Sequence, residues 1–220
     1  MRLLPRLAVL LGLTGWLLAG APARADDENG AMVLVAHPAL RSLDYRQTVL
    51  LVSPTPNGGH VGVILNRPTR SSLASLFPDH GPSKKVVDPV YVGGPFQPDT
   101  IVAVVRREGS PGQGSLQMMK NLYIAFRVST IDQIIETTPN DARYYMGYVG
   151  WRPGELRSEI DRGVWSVLAP DADLIFRKDT ENLWEELLLQ SRRIRADAAP
   201  ALRPAYAATP AGAAGLRPRL

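Results

Sequence analysis

Short apolar runs separated by turn residues dominate the sequence from residue 31 to residue 126. Runs that are rich in Val, Ile, Leu and aromatic side chains, and that are bounded by Gly, Pro, Asn or Ser, are typical of β-strands. The Asn57-Gly58 step between two of the runs favours a tight hairpin turn, because both residue types tolerate positive φ angles. The pattern predicts strands at residues 31–36, 47–53, 60–66, 90–92, 100–106 and 122–126.

Helical signals interrupt the strand pattern at three places. Each begins with a side chain that can accept a hydrogen bond from the free N–H groups of a first helical turn. These caps are Ser71 or Ser72, Thr130 in a Thr-x-x-Gln capping box, and Asp179 or Thr180. Apolar residues at helical spacing follow each cap, and they are Leu73, Leu76 and Phe77, then Ile131, Ile134 and Ile135, and then Leu183, Trp184, Leu187 and Leu188.

The segment that begins at Tyr144 has the clearest local pattern in the chain. An aromatic and β-branched run at residues 144–151 predicts a strand. Pro153 can begin a helix, because proline lacks the N–H that a first helical residue leaves unpaired, and Gly163 can end it. A strand at residues 164–168 follows. We expect this segment to be the packing hub of the domain.

The predicted elements indicate an α+β domain. Many strands with only occasional helices between them favour a mixed, mainly antiparallel sheet. A last strand is predicted at residues 172–176. Residues 26–195 have the length of a single domain. Residues 196–220 are rich in Ala, Pro and Arg and show no apolar period, so they predict a disordered tail.

The first 25 residues show the three regions of a secretory signal peptide. Arg2 and Arg6 precede an apolar run at residues 7–18, and a small-x-small site ends at Ala25. The run is shorter than the roughly 20 residues that a transmembrane helix needs, which favours cleavage after Ala25 over a permanent anchor. A buried N-terminal helix is the alternative. We expect a periplasmic or secreted product with no stable membrane span after cleavage.

Charge changes the picture once the two ends are set apart. The chain has 25 basic and 21 acidic residues, of which three basic ones lie within residues 1–25, and six basic and one acidic follow residue 191. The remaining 16 basic and 20 acidic residues make the folded part mildly acidic, without the clustered basic surface of a nucleic-acid binder. The absence of cysteine excludes disulfides, thiolate catalysis and cysteine metal ligands.

Five ordered segments resemble one bacterial protein family. They read VLVAHPAL, VGVILNRP, VYVGGP, GYVGW followed by GEL, and VWSVLAPD. Their order closely resembles the AlgH/YqgE family, and the resemblance covers nearly all of residues 30–190. It implies a compact α+β fold in which a bent sheet closes toward a barrel, with helices packed outside. AlgH has been described as a regulator of alginate production, so the resemblance also implies a regulatory role, but no reaction or ligand.

Two departures from the family pattern limit what the resemblance implies. Many relatives have a Cys-x-His step at the end of the second strand, where this chain has Ser53 and Thr55, so no role for a thiol or imidazole carries over. Most relatives begin near the first strand, whereas an export signal precedes it here. A cytoplasmic, transcriptional regulator is therefore an alternative only if the start codon has been placed too far upstream.

Signatures of known catalytic and cofactor sites are absent from the sequence. It contains no Gly-x-Ser-x-Gly elbow, no phosphate-binding loop, no His-Glu-x-x-His and no dinucleotide glycine pattern. His37, His60 and His80 share no helix or regular spacing, so independent histidines are expected rather than a metal site. Asp171 and Asp173 are expected to cap local structure rather than to hold a cation. We predict no catalytic residue, no cofactor and no metal.

Three acids lie on the predicted helix after Pro153. Glu155, Glu159 and Asp161 could serve in acid–base catalysis. They fit a solvated helix face better, with Glu159 and Arg162 spaced for a weak surface ion pair.

The best candidate site is a ligand groove built from glycine corners, polar groups and aromatic side chains. Its predicted residues are Asn66, Arg67, Gly93, Gly94, Tyr148 and Trp151. The alternative interpretation is purely structural. In that case the glycines permit tight bends of the sheet, Trp151 fills the core, and Asn66 and Arg67 tie a loop to backbone carbonyls.

These observations favour a non-enzymatic binding or regulatory module of the bacterial envelope. The expected partner is an envelope protein or polymer rather than a nucleic acid, and the sequence leaves the oligomeric state open. The alternative is a hydrolase whose carboxylates are brought together only by folding. The absence of catalytic signatures favours the binding module.

Overall fold

The computed structural model describes residues 30–198, so the predicted signal peptide and the predicted tail beyond residue 198 lie outside the described residues. The strands of the described part are β1 (Met32–Ala36), β2 (Val49–Pro54), β3 (His60–Ile64), β4 (Pro68–Ser72), β5 (Pro89–Val92), β6 (Phe96–Arg106), β7 (Ser115–Met119), β8 (Leu122–Ala125), β9 (Ala142–Trp151) and β10 (Trp165–Leu168). The helices are α1 (Leu73–Leu76), α2 (Val128–Thr137), α3 (Glu155–Asp161), α4 (Ala172–Ile175) and α5 (Leu183–Ala198), together with a 3-10 turn at Gly81–Lys85. None of these helices is both long enough and apolar enough to cross a bilayer.

The strands form one mixed sheet. Its main path runs in the order β10-β1-β2-β3-β9-β6-β8-β7, and all of these neighbours are antiparallel. The parallel pair is β5 with β9, and β4 pairs antiparallel with the other edge of β5. The sheet curls into a half-barrel, which brings β7 near β2. The α+β class with a mainly antiparallel, barrel-like sheet is therefore confirmed.

Strand β9 joins the two parts of the sheet. Its first half pairs with β5 at Tyr145 and Met146, and its second half pairs with β3 from Val149 to Trp151. The partner changes at Gly147, whose φ angle is +70°. Gly93 and Gly94 lie directly against β9 at this point. A Cβ atom on Gly93, Gly94 or Gly147 would overlap a backbone carbonyl oxygen.

Two apolar clusters cover opposite faces of β9, because successive side chains of a strand point to opposite faces. Tyr145 belongs to the larger cluster, which fills the curl and extends beneath α5. Tyr144 belongs to the smaller cluster, which α2 covers from outside through Ile131, Ile134 and Ile135. Burial of each large apolar side chain stabilises the fold by about 1.5–3 kcal/mol. Both faces of the central strand are therefore anchored.

A buried arginine ties the segment after β10 to the sheet. The Arg143 side chain is 0% exposed and donates to the carbonyls of Ile175 (2.8 Å) and Arg177 (3.0 Å). Its guanidinium lies 4.4 Å from the centroid of the Tyr91 ring and 3.8 Å from the Asp88 carboxylate. A buried guanidinium needs such partners, because desolvation of an unpaired charge is costly.

Several local predictions are confirmed. The Asn57-Gly58 hairpin forms, with Gly58 at a φ of +81° and its N–H donated to the Thr55 carbonyl at 2.9 Å. The Ser72 hydroxyl caps α1 by accepting from the Ser75 N–H at 3.0 Å. Gly163 ends the helical segment at a φ of +73°.

The last predicted strand, residues 172–176, is wrong. Ala172–Ile175 forms one helical turn, and its N-cap Asp171 accepts a hydrogen bond from the Asp173 N–H at 2.9 Å. A short apolar run does not distinguish a buried strand from a buried helical turn by periodicity.

The predicted starts of two helices are also wrong. Helix α2 begins at Val128, and Thr130 is buried within it and donates its hydroxyl hydrogen to the Gln113 carbonyl at 2.7 Å. The turn after β9 includes Pro153 and Gly154, and α3 begins only at Glu155. Thr130 was misassigned because a threonine hydroxyl can bond to a distant loop as well as to its own helix.

Two strands escaped the sequence analysis, namely β4 and β7. Both lie at the periphery of the sheet and carry mainly polar or half-exposed side chains. Peripheral strands do not need two apolar faces, so they lack the continuous apolar run that marks a buried strand.

The substitution Gly147→Ala is expected to destabilise the fold strongly. A left-handed φ costs a non-glycine residue about 1–2 kcal/mol. The added Cβ would also lie 2.8 Å from the Phe96 carbonyl oxygen, and closer still to that of Gly94. Gly163→Ala is the matched control, because Gly163 has a φ of +73° but no neighbouring heavy atom within 4 Å of the position that a Cβ atom would take.

Equilibrium unfolding in urea measures both losses. We expect Gly163→Ala to lower the unfolding free energy by about 1–2 kcal/mol and Gly147→Ala to lower it by clearly more, or to prevent folding. Equal losses would contradict the role assigned to the contact between Gly147 and residues 93–96.

Candidate functional site

Asn66 and Arg67 fasten a loop instead of lining a groove. Asn66 accepts from the Val49 N–H and donates to the Gln47 carbonyl, each at 2.9 Å. Arg67 donates to three backbone carbonyls within residues 43–46, at 2.8 to 3.3 Å. The two side chains therefore hold the β1–β2 connection against the sheet, as the structural alternative expected.

Gly93 and Gly94 also serve packing. Both are buried. The Gly93 N–H donates to the Met146 carbonyl at 2.7 Å, and its carbonyl accepts from the Ile64 N–H at 2.9 Å. This pair of bonds inserts the glycine between β3 and β9.

Tyr148 and Trp151 line an open cavity of about 750 Å³ at the end of β9. A second cavity of about 490 Å³ adjoins it and shares Thr55, Pro56, Val61 and Tyr148. We call the two together the aromatic groove. The lining residues that carry its chemistry are Thr55, Asn57, His60, Phe96, Phe126, Tyr148, Trp151, Arg152 and Glu155.

The ring of Tyr148 stands between two phenylalanines. Phe96 stacks on it at 6.1 Å between ring centroids, with 27° between the planes, and Phe126 meets it edge to face at 5.4 Å. Phe96 is 49% exposed although it is a large apolar residue. The pairing of Phe96 with Tyr148 in the β6–β9 ladder fixes this arrangement. Sequence analysis missed Phe96, and the only signal was an aromatic residue directly after the Gly-Gly-Pro corner.

The three histidines occupy separate environments. His60 lines the groove, and its buried Nδ1 has no hydrogen-bond partner within residues 30–198. Burial lowers its pKa, because desolvation disfavours the charged imidazolium. His37 is exposed, and His80 bonds to the Ser83 hydroxyl at 2.6 Å. Within the described range no three His, Asp or Glu side chains gather into a metal-binding group.

Glu159 is not on a solvated helix face. Its Oε2 atom accepts from the indole N–H of Trp151 at 3.0 Å and from that of Trp165 at 2.7 Å. The two indoles are nearly perpendicular, at 85°, with centroids 6.5 Å apart. The predicted pair with Arg162 does not form, because the Arg162 Nε donates to the Ser158 carbonyl at 3.1 Å.

This arrangement, the Trp–Glu–Trp clamp, links strands β9 and β10 through Glu159. Trp151 ends β9 and Trp165 begins β10, and β1, β2 and β3 lie between these strands in the sheet. Helix α3 carries Glu159 across the gap. Sequence analysis could not detect the clamp, because the fold of three separate elements brings its members together.

A smaller cavity of about 190 Å³ lies beside the clamp, and we call it the Glu159 cavity. It shares Phe96, Trp151 and Glu155 with the aromatic groove. Tyr45 also lines it and meets Trp165 edge to face at 6.0 Å between ring centroids. Burial, and then the charges of Asp44 and Glu159, raise the pKa of Tyr45 to about 12. Its phenol therefore stays protonated at neutral pH.

The remaining acids have local roles. Glu155 Oε2 accepts from the Arg152 N–H at 2.8 Å, which closes the turn before α3. Asp161 pairs with Arg157 at 2.9 Å on the exposed side of the helix. Ser53, one of the positions that departs from the resembled family pattern, is buried, and its hydroxyl has no partner among residues 30–198.

Comparison with known proteins identifies the family of this chain. The family model described as "DUF179: AlgH-like" matches residues 33–194. The chain belongs to the AlgH-like family. A UPF0301 protein of Thermobifida fusca is 33% identical over 169 residues, which span 73% of this chain and 85% of that protein. A UPF0301 protein of Streptomyces coelicolor is 29% identical over 164 residues, with 73% and 85% coverage.

Two solved structures share the AlgH-like fold. The solution structure of the AlgH protein from Pseudomonas aeruginosa matches with a TM-score of 0.60 at 22% identity, covering 86% of this chain and 98% of that one. The crystal structure of a Corynebacterium diphtheriae protein matches with a TM-score of 0.59 at 23% identity, with 72% and 85% coverage. At this identity the likeness concerns the fold.

Glu159→Ala is expected to lower the unfolding free energy by about 2 kcal/mol, because it leaves two indole N–H groups without an acceptor. Asp161→Ala is the matched control on the same helix. It removes only the surface pair with Arg157, which contributes about 0–1 kcal/mol. Urea unfolding followed by far-ultraviolet circular dichroism measures both. Losses of the same size would show that the clamp does not stabilise the half-barrel.

Proposed function

We propose that this AlgH-like protein is an exported, non-enzymatic binding module of the bacterial envelope that holds an extended partner or polymer in the aromatic groove. The observation that carries the proposal is the open cavity of about 750 Å³ at the end of β9, in which aromatic rings adjoin polar side chains. Ligand sites are typically concave and apolar with a few placed polar groups.

The aromatic groove combines exposed rings with a rigid base. Phe96, Tyr148 and Trp151 offer flat apolar surfaces, while Asn57, His60 and Arg152 offer hydrogen-bonding groups. Aromatic side chains supply large contact areas with few rotatable bonds. Because β9 is paired along both edges, the rings are already held in place and little order has to be gained on binding.

The shape of the groove favours an extended ligand. The two cavities adjoin along the Tyr148 ring, so the surface continues from Trp151 past Tyr148 to Phe126. Rings spaced along such a line can contact successive units of a chain, whereas one small molecule would fill only a part. The ligand in the proposal is therefore a polypeptide segment or a polymer.

Binding is favoured over carboxylate-dependent hydrolysis. Glu155 and Glu159 do line one cavity, which is the observation in favour of hydrolysis. However, each already accepts hydrogen bonds from fixed donors, namely the Arg152 N–H and the two indoles of the clamp. These bonds give both carboxylates a structural task.

Export is supported by the order of the charged, apolar and small-residue regions in residues 1–25. Cell fractionation with N-terminal sequencing tests it. We expect a product that begins at Asp26 in the periplasm or the medium. A product that keeps residues 1–25 and stays in the cytoplasm would instead favour the cytoplasmic regulator.

Site-specific photocrosslinking in intact cells tests the groove. A benzophenone amino acid at Phe96 should form defined adducts with an envelope component. The same substitution at Phe77 is the matched control, because Phe77 is 43% exposed, against 49% for Phe96, but follows α1 and is not among the residues that line the groove.

The adducts from position 96 should fall at least tenfold when Tyr148→Ala is added, because a central aromatic anchor typically carries 2 kcal/mol or more, roughly a thirtyfold effect. The same adducts from both positions, or adducts that do not respond to Tyr148→Ala, would contradict the groove as the binding site.

A further inference from the structure

The Glu159 cavity has walls of an unusual composition. Four aromatic side chains and two carboxylates line it, and these are Tyr45, Phe96, Trp151, Trp165, Glu155 and Glu159. Aliphatic residues contribute only Leu40 and Val164. A purely apolar cavity would bind neutral ligands of the right size, but the carboxylates give this cavity a negative electrostatic potential.

The charge of Glu159 has no cationic partner in the described range. Its two hydrogen-bond donors are neutral indoles. The arginines of the α3 region are engaged elsewhere, because Arg152 approaches Glu155 at 4.0 Å, Arg157 pairs with Asp161, and Arg162 donates to a backbone carbonyl. No ion pair of residues 30–198 includes Glu159. A half-buried carboxylate without a counterion attracts a cation from solution.

The rings around the cavity favour an organic cation. The indoles of Trp151 and Trp165 form a corner of 85°, and their bonds to Glu159 fix the orientation of both ring planes. The face of an aromatic ring is negative and attracts cations within about 6 Å, most strongly for Trp. Perpendicular rings beside one carboxylate can contact several sides of a single alkylated ammonium group.

The size of the cavity agrees with such a group. One water takes about 30 Å³ of liquid volume, so a cavity of about 190 Å³ has room for roughly six water-sized groups. A trimethylammonium head with its first methylene group has five heavy atoms. A bare metal ion would leave most of the aromatic wall without a contact.

We propose that the Glu159 cavity is an aromatic cage that binds an alkylated ammonium cation. The inference rests on the proposed binding function, since the cavity shares the side chains of Phe96 and Trp151 with the aromatic groove and would hold a cationic group of the ligand that lies there. A free trimethylammonium compound carries the same chemistry and is small enough to enter the cage alone.

The test is a titration of the full-length, nitrogen-15-labelled protein with choline, followed through the indole N–H signals in two-dimensional NMR. The signals of Trp151 and Trp165 should shift and saturate. Trp184 is an internal control, because its indole N–H donates to the Ala36 carbonyl at 2.8 Å in the buried core. The neutral isostere 3,3-dimethyl-1-butanol should bind about tenfold more weakly, because it lacks the charge that the rings and Glu159 attract.

Variants assign the site. Glu159→Gln should weaken choline binding about tenfold or more, while Asp161→Asn, the same change of charge on the same helix, should alter it less than twofold. Tyr45→Leu removes one ring of the cage, together with its edge-to-face contact with Trp165, but leaves both indole hydrogen bonds of Glu159 in place, and it should weaken binding severalfold. It keeps the test decisive if Glu159→Gln disturbs the fold.

Three results would contradict the cage. The first is equal affinity for choline and its neutral isostere, and the second is an equal loss of choline affinity in Asp161→Asn and Glu159→Gln. The third is the absence of a saturable shift of the Trp151 and Trp165 signals. The choline titration and the photocrosslinking together separate the two proposals. Crosslinks without choline binding would support the groove and contradict the cage. Choline binding without crosslinks would support the cage and contradict the groove as the site of the larger ligand.

Discussion

The contact of Gly147 with Gly93 and Gly94 is the constraint on which the rest of the fold depends. Backbone meets backbone there without side chains, so β9 can exchange β5 for β3 as its neighbour while β6 stays on the other edge. The positive φ of Gly147 redirects the strand at the same point. Every residue of β9 that lines the aromatic groove follows this glycine, and the groove depends on the glycine contact although no glycine of that contact lines it.

The Trp–Glu–Trp clamp is the second element that shapes the site. It links the end of β9 to the start of β10 across three intervening strands, so it holds the curl of the sheet as well as the wall of a cavity. One carboxylate therefore has two effects. It stabilises the half-barrel through the indoles of Trp151 and Trp165, and it leaves a negative charge at the N–H edges of both rings. Glu159 therefore contributes both to the packing of the half-barrel and to the proposed ligand site.

Membership of the AlgH-like family accounts for the architecture, and the chemistry of this chain is read from its own side chains. The polar residues that looked most like ligand contacts, Asn66 and Arg67, hold a loop through backbone carbonyls. The residues that do surround open space are mainly aromatic. This distribution is the basis on which we propose binding of an extended ligand rather than hydrolysis.

Local signals in the chain were sufficient to predict the strand-rich α+β class, the Asn57-Gly58 hairpin and the helix stop at Gly163, because apolar periodicity and glycine conformation are local properties. The sequence also pointed to Tyr148 and Trp151, whose aromatic rings at a strand end are visible in the chain. It missed the peripheral strands and misassigned residues 172–176, where burial depends on what packs alongside.

Contacts between side chains of distant elements depend on the folded arrangement of the sheet. The sequence predicts Glu159 on a solvated helix face, whereas the curl of the sheet places Trp165 beside Trp151 and both indoles bind Glu159. The sequence assigns no role to Phe96, which pairs with Tyr148 across the β6–β9 ladder. Periodicity reports how a residue relates to its own helix or strand. The groove and the cage arise between elements far apart in the chain, so their composition is set by strand register and sheet curvature.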